Sequence, residues 1–382
     1  MIYLDNSATT RPYDAVTDGV ARTMRESYFN ASAAYGVAIA VEKEVRAARA
    51  LLAQRLGAQP GDVCFTSGGT EADILAILGT LERRRKPGNV VLSAIEHPAV
   101  SETVRRAEAM GHEIRTLPVD HTGLVDLPAA RALIDEHTLL LSCMQVSNET
   151  GAIQPIQTLA ELARHAAPEI CIHVDGVQGF LRVPIHLEKA DVDFYALSGH
   201  KIHAPKGIGA LVTRKKDRLA PQMTGGGQEG GLRSGTLNTP GIIGLGIAVR
   251  QTPDEARHEL RALKLRLWAH LANEDGMFLN GPDPADASLS APHILSVSFD
   301  GVRGEVLRNA LEAQGILVST GSACSSHRQK VSSMLLSMGL SRARADGTIR
   351  ISLGRFNTPE EMDQAADQMC SLYRQLRKFQ RR

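Results

Sequence analysis

The chain is 382 residues long, more than one hydrophobic core usually supports, so two domains are expected. Its 43% apolar and 22% charged residues are those of an ordinary globular protein, and a net charge of +1 excludes a general attraction to nucleic acid or membrane. No window approaches the ~18 apolar residues of a membrane span, and the opening "MIYLDNSATTR" lacks the order of a signal peptide, so a cytoplasmic protein is expected, with no membrane or direct DNA partner.

Strand-like runs follow in chain order: "DVCFTS", "NVVLSAI", "HEIRTLPVD", "TLLLSCMQV", "EICIHVDG" and "VDFYALSG". They are separated by helical stretches near 70–86, 98–110, 126–137 and 156–167. A βαβ order of this kind predicts an α/β fold with a mostly parallel sheet covered on both faces. Ligands of such sheets collect outside the carboxyl ends of the strands. That rule singles out Ser67 to Glu71, Glu96 and His97, Asn148 and Glu149, Asp175 to Gln178, and Ser198 to Lys201. From residue 253 the pattern changes to a long helix, "PDEARHELRALKLRLWAHLA", then strands near "HILSVSFDG" and "ILVST", which predicts a smaller α+β domain. "NGPDPADASLSAP" (280–292) is a turn-rich loop, and the basic last ten residues, "YRQLRKFQRR", read as a solvated helix end.

Several motifs bear on chemistry. "FTSGGTEAD" runs from a strand through Gly68 and Gly69 into a helix, offering backbone N–H groups and the Thr70 hydroxyl to an anion. "TGGGQEGG" contains G-x-G-x-x-G at Gly225, Gly227 and Gly230, but it does not open a helix after a strand, so a dinucleotide site fails on context. His200 and His203 have no Cys or acid spaced for a metal, and none is expected. Lys201 follows a strand in "SGHK", with Asp175 and Gln178 at the preceding strand end. A cofactor aldehyde can condense with such an amine, and a carboxylate facing the cofactor's ring nitrogen keeps that nitrogen protonated.

The five cysteines (64, 143, 171, 324 and 370) include no CxxC pair, which points to free thiols. Cys64, Cys143 and Cys171 lie in apolar runs, where a thiol is a small inert hydrophobe, and Cys370 sits on an amphipathic helix. Only Cys324, in "VSTGSACSSHRQK", has small polar neighbours on both sides, the setting in which a thiol meets another reactant.

Nine ordered segments together resemble the cysteine desulfurases of the class V aminotransferase group from end to end. They are "YLDNSATTR", "FTSGGTEAD", "IEHPAV", "VSNETGAIQPI", "HVDGVQGFLRVPI", "LSGHKIHAPKGIGAL", "GGGQEGGLRSGTLNTPGIIGLGIA", "STGSACSS" and "IRISLGRFNTPEE". The resemblance implies a fold type I enzyme that uses pyridoxal 5′-phosphate to convert L-cysteine to L-alanine, leaving the sulfur as a persulfide on Cys324. It implies a large cofactor-binding domain over 13–250 and a small domain of 1–12 and 251–382 that carries the thiol. Lys201 would bind the cofactor aldehyde, Asp175 the pyridine nitrogen and Gln178 the ring hydroxyl. Gly69, Thr70, Ser198 and His200 would hold the phosphate, with Thr236 supplied by the second subunit of a homodimer. His97 would stack on the ring and assist proton transfer, and Arg355, with Asn148 beside it, would clamp the substrate carboxylate. His327 and Arg328 would favour the Cys324 thiolate.

The sequence departs from the family pattern in places. Ala31 and Ala33 replace a proline and a serine in "FNASAAYG", Gly230 stands where arginine is frequent, and Ser147 precedes Asn148. The segment after Cys324, "SSHRQKVSSMLLSMG", resembles the variant associated with dedicated sulfur acceptors, including tRNA-thiolation enzymes, more than the donors to iron-sulfur scaffolds. A selenocysteine lyase or another class V aminotransferase is the rival reading. A plain aminotransferase needs no loop thiol.

Overall fold

The computed structural model describes residues 1–320 and 331–380, and in it the repeating strands form one seven-stranded sheet. Its order is Val63–Thr66, Gly209–Thr213, Phe194–Ser198, Cys171–Asp175, Thr138–Ser142, Asn89–Ser93 and Glu113–Leu117. Neighbours are parallel except at Gly209–Thr213, which runs antiparallel to both partners. The expected mostly parallel sheet is present. The antiparallel strand is an addition to the expected set: it returns from the Lys201 loop with no crossover helix, so the βαβ rhythm that announces its neighbours is missing.

Successive strand residues point to opposite faces, and both faces are buried. Val91, Leu141, Val174, Tyr195 and Leu197 pack with Val45, Leu52 and Leu245. Val90, Leu140, Phe194 and Ala196 pack on the other side with Ala72, Leu75 and Val104. Two covered faces are why these strands read as unbroken apolar runs. The expected helices are Gly69–Glu82, Pro98–Ala109, Leu127–Leu133 and Ile156–Ala166. The third is shorter than expected because the backbone is already extended at Ile134, after which Asp135 is held by Arg115 at 2.6 Å and Asn89 at 2.8 Å. Asp14–Glu26, Gly36–Leu56 and Thr239–Gln251 complete the first face; they stand outside the strand–helix alternation.

A second core gathers Leu260, Leu267, Val297, Phe299, Ile349, Met369 and Tyr373. It surrounds a three-stranded antiparallel sheet of Met277–Leu279, Ile294–Phe299 and Thr348–Ser352. Ile2 and Leu4 belong to this core because Ile2–Tyr3 pairs in parallel with Ile316–Leu317. The chain then crosses to the large sheet, where the Thr10 N–H and hydroxyl both donate to the His200 carbonyl at 2.9 Å. Residues 5–10 therefore carry the second core up to Lys201.

Two of the family departures are absorbed locally. Asn30 Oδ1 accepts from the Ser32 N–H at 3.0 Å, so the turn survives Ala31 and Ala33. Gly230 has a left-handed φ of 65°, and beside it Glu229, whose side chain is 2% exposed, accepts from Arg49 at 2.6 Å and from the Phe65 N–H at 2.8 Å. Arg49→Met leaves that buried carboxylate without its cation. It is expected to destabilise the protein by about 3 kcal/mol, read as a lower urea midpoint at unchanged slope; an unchanged midpoint would contradict this.

Candidate active site

The carboxyl ends of four parallel strands, Asn89–Ser93, Thr138–Ser142, Cys171–Asp175 and Phe194–Ser198, open towards one cavity of about 330 Å³, a volume suited to a cofactor or small ligand. Gly69, Thr70, His97, Asn148, Asp175, Gln178, Ser198, His200 and Lys201 all line it. A larger crevice of about 430 Å³ between Leu51–Leu56 and Phe180–Ile185 has no lysine or histidine among the described residues that line it, so size alone does not locate the chemistry.

Lys201 ends a single turn, Gly199–Lys201, that follows the strand Phe194–Ser198. Its Nζ donates to the carbonyls of Ser7 at 2.6 Å and Ala8 at 2.8 Å. Gln178 Nε2 donates to the same Ser7 carbonyl at 3.0 Å. The N-terminal segment is thus a wall of the cavity. Asp175 closes the adjacent strand, 6% exposed, and its Oδ1 accepts from the Val177 N–H at 2.9 Å. Burial pushes this carboxyl up, while His97 and Lys201 oppose the shift. A buried carboxylate of this kind is stabilised by any cation brought against it.

His97 caps the helix Pro98–Ala109: its Nδ1 accepts from the Ala99 N–H at 3.1 Å. That bond needs Nδ1 unprotonated, which leaves the ring proton on Nε2. Burial lowers the His97 pKa, with Asp175 opposing and Lys201 adding to the effect. A lowered pKa means the ring stays neutral to lower pH than usual. In an NMR titration His97 is expected to remain neutral as the pH falls through the ordinary value of about 6.5; a midpoint at or above it would contradict this. Burial likewise takes His200 down to about 4, and its Nδ1 lies 3.1 Å from the Thr9 hydroxyl.

Two ionisable lining residues lie outside the expected set. Asp73, one helical turn after Thr70 and 1% exposed, has its Oδ1 3.3 Å from His173 Nε2. Burial pushes Asp73 well up, with Asp175 and Glu96 adding to that, and burial takes His173 down to about 3. Arg350, 4% exposed, binds Asp5 at 2.8 Å and donates to the Asn148 carbonyl at 3.0 Å. Asn148 Oδ1 is buried with no hydrogen-bond partner among the described residues. The signals were present: an acid three residues after Thr70 in "GTEAD", and a charge inside the otherwise uncharged strand "TIRIS".

Other expected residues fall elsewhere. Arg355 lies beyond the strand Thr348–Ser352, where its guanidinium pairs with Glu259, and it lines a separate crevice with Arg182 and His203. Thr236 is exposed and not among the cavity's lining residues. Cys324, His327 and Arg328 lie outside the described residues. Cys64, Cys143 and Cys171 are buried, and burial raises their thiol pKa values, Cys64 to about 12. Of the basic C-terminal residues, Arg374 pairs with Glu274 and Arg377 with Asp275.

The residues fit pyridoxal phosphate. An amine is available for the aldehyde and a buried carboxylate for the ring nitrogen. The helix start at Gly69 and Thr70 stands with Ser198 and His200 for the phosphate, and Asn148 lines the same cavity.

A family model, aminotransferase class-V, matches residues 2–365. A cysteine desulfurase IscS of Salmonella arizonae is 41% identical over 375 residues, covering 96% of this chain and 91% of that protein. A solved NifS-like protein superposes with a TM-score of 0.91 at 36% identity, over 98% of this chain and 100% of the other. A structure described as SspA in complex with cysteine superposes with a TM-score of 0.82 at 32% identity, over 94% and 100% of the two chains.

Proposed function

The chain belongs to the class-V aminotransferase family and within it to the pyridoxal-phosphate-dependent cysteine desulfurases, and on that premise we propose how its residues divide the conversion of L-cysteine to L-alanine. The observation that carries the assignment is the Lys201 amine lining one strand-end cavity with buried Asp175. Bound there, pyridoxal 5′-phosphate supplies an electron sink that weakens the Cβ–S bond of the substrate.

Lys201 holds the aldehyde, and Asp175 keeps the ring nitrogen protonated, which also satisfies its own buried charge. Gln178 takes the ring hydroxyl. Gly69, Thr70, Ser198 and His200 take the phosphate. His97, neutral and protonated at Nε2, is set to pass a proton at that atom. For the substrate carboxylate we propose Arg350 with Asn148, in place of Arg355. Arg350 is already aligned by Asp5 and the Asn148 carbonyl, whereas Arg355 is committed to Glu259. The Cys324 thiolate attacks the substrate sulfur: a sulfur–sulfur bond forms, Cβ–S breaks, and Cβ takes a proton to give alanine.

The same reading extends to assembly and place. Met24, Tyr28 and Tyr35 are exposed, with Tyr28 stacked on Phe29 at 4.4 Å and Phe29 edge-on to Tyr35 at 6.3 Å. An exposed aromatic group of this kind marks a contact surface, and with exposed Thr236 it supports a homodimer in which Thr236 reaches the partner's phosphate site. The two cores support domains over 13–250 and over 1–12 with 251–382. The sulfur acceptor is a scaffold or tRNA-thiolation protein in the cytoplasm.

Asp175→Asn is expected to lower kcat about 10²-fold, the usual loss when one preorganised electrostatic partner is removed, with a blue-shifted cofactor absorbance; a wild-type rate would contradict this role. The function itself is tested by supplying L-cysteine with excess thiol reductant and following products. Alanine and sulfide in equal amounts are expected, and absence of alanine would overturn the assignment.

A further inference from the structure

We infer that Glu149 and Ser332 form a positioning pair that fixes the exit end of the thiol-bearing segment 321–330 against the active-site wall. The inference rests on the reading of Cys324 as the sulfur acceptor. Both flanks of that segment are described: one is tied to Arg350, which lines the cavity, and the other to Glu149, next in the chain to the lining residue Asn148. Five residues before Cys324, Ser319 exchanges both backbone hydrogen bonds with Arg350, at 3.1 and 2.7 Å. Eight residues after it, the Ser332 hydroxyl donates to Glu149 Oε2 at 2.6 Å. Arg350 joins the two ends through the Asn148 carbonyl, next in the chain to Glu149.

The exit end is held more firmly than its local structure requires. Ser332 also caps the short helix Ser333–Ser337 by accepting from the Leu335 N–H at 3.2 Å, which needs no carboxylate. Met334 in that helix packs with Ile95 and with Met144 of the cavity wall, and the Ser147 hydroxyl lies 3.2 Å from its sulfur. Glu149 is only 9% exposed, and burying a carboxyl group has a cost that needs a compensating role. Burial pushes its pKa up, while Ser332 and Arg350 oppose the shift. The pair registers Ser332 directly against the Asn148 backbone, and through it against Arg350, the residue proposed for the substrate carboxylate. Glu149 and Ser332 touch no reacting atom; they act by fixing Ser332, where the described chain resumes after Cys324.

The test uses the holoenzyme of four variants beside the wild type. Ser332→Ala and Glu149→Ala are each expected to lower kcat for alanine formation about tenfold, as a small misplacement of a reacting group does. KM for L-cysteine, cofactor content and the substrate-induced absorbance change should stay unchanged. The double alanine variant should be no slower than either single one, because both remove the same interaction. Glu149→Gln should recover most of the rate, since its amide oxygen still accepts from Ser332. A wild-type kcat in Ser332→Ala, additive losses in the double variant, or losses that track cofactor content would each overturn the inference. The wild-type rate in the same series tests the desulfurase reading separately.

Discussion

Lys201→Ala is expected to yield protein without the absorbance of a lysine-bound cofactor and with alanine formation reduced by at least about 10³-fold. Two roles are lost together. Among the described residues the amine is the only lysine nitrogen lining the cavity, so none of the others can hold the aldehyde in its place. Its hydrogen bonds to the Ser7 and Ala8 carbonyls also tie the N-terminal wall to the strand Phe194–Ser198. Thr10 and Gln178 anchor that wall independently, at 2.9 Å to the His200 carbonyl and 3.0 Å to the Ser7 carbonyl, so the variant should fold. Absorbance after dialysis and a single-turnover assay check both statements. A dialysed variant that keeps its colour and turns over would contradict the role.

Cys324→Ser is expected to separate cofactor chemistry from sulfur capture. The variant should keep its cofactor, show the absorbance change on adding L-cysteine, and form alanine at least about 10³-fold more slowly. A hydroxyl is a poor nucleophile towards sulfur and cannot form the persulfide. No other cysteine can stand in: Cys64, Cys143 and Cys171 are buried with raised thiol pKa values, and Cys370 lies half-buried in the helix Pro359–Gln380. Turnover equal to wild type would rule out capture by this thiol.

What was legible in the sequence follows from the physics of each element. Strands buried on both faces announce themselves as apolar runs, and the strand-end rule led directly to Thr70, His97, Asp175 and Lys201, which the cavity gathers. Gly209–Thr213 escaped because it lacks a crossover helix. Asp73 and Arg350 escaped for another reason: each enters the cavity through tertiary packing, Asp73 from a helix turn and Arg350 from a strand of the second core. The family resemblance assigns the clamp to Arg355, whereas in the fold Glu259 engages that guanidinium and Arg350 lines the cavity. The contact between residues 5–10 and the Lys201 loop spans nearly two hundred positions, beyond any local pattern.

The most direct measurement follows the substrate's sulfur. The wild-type protein, given one equivalent of L-cysteine without reductant, is digested and its cysteine peptides weighed. Released alanine together with one additional sulfur atom on the Cys324 peptide is the predicted result. Alanine release with that peptide unmodified and the sulfur found on another cysteine would contradict it.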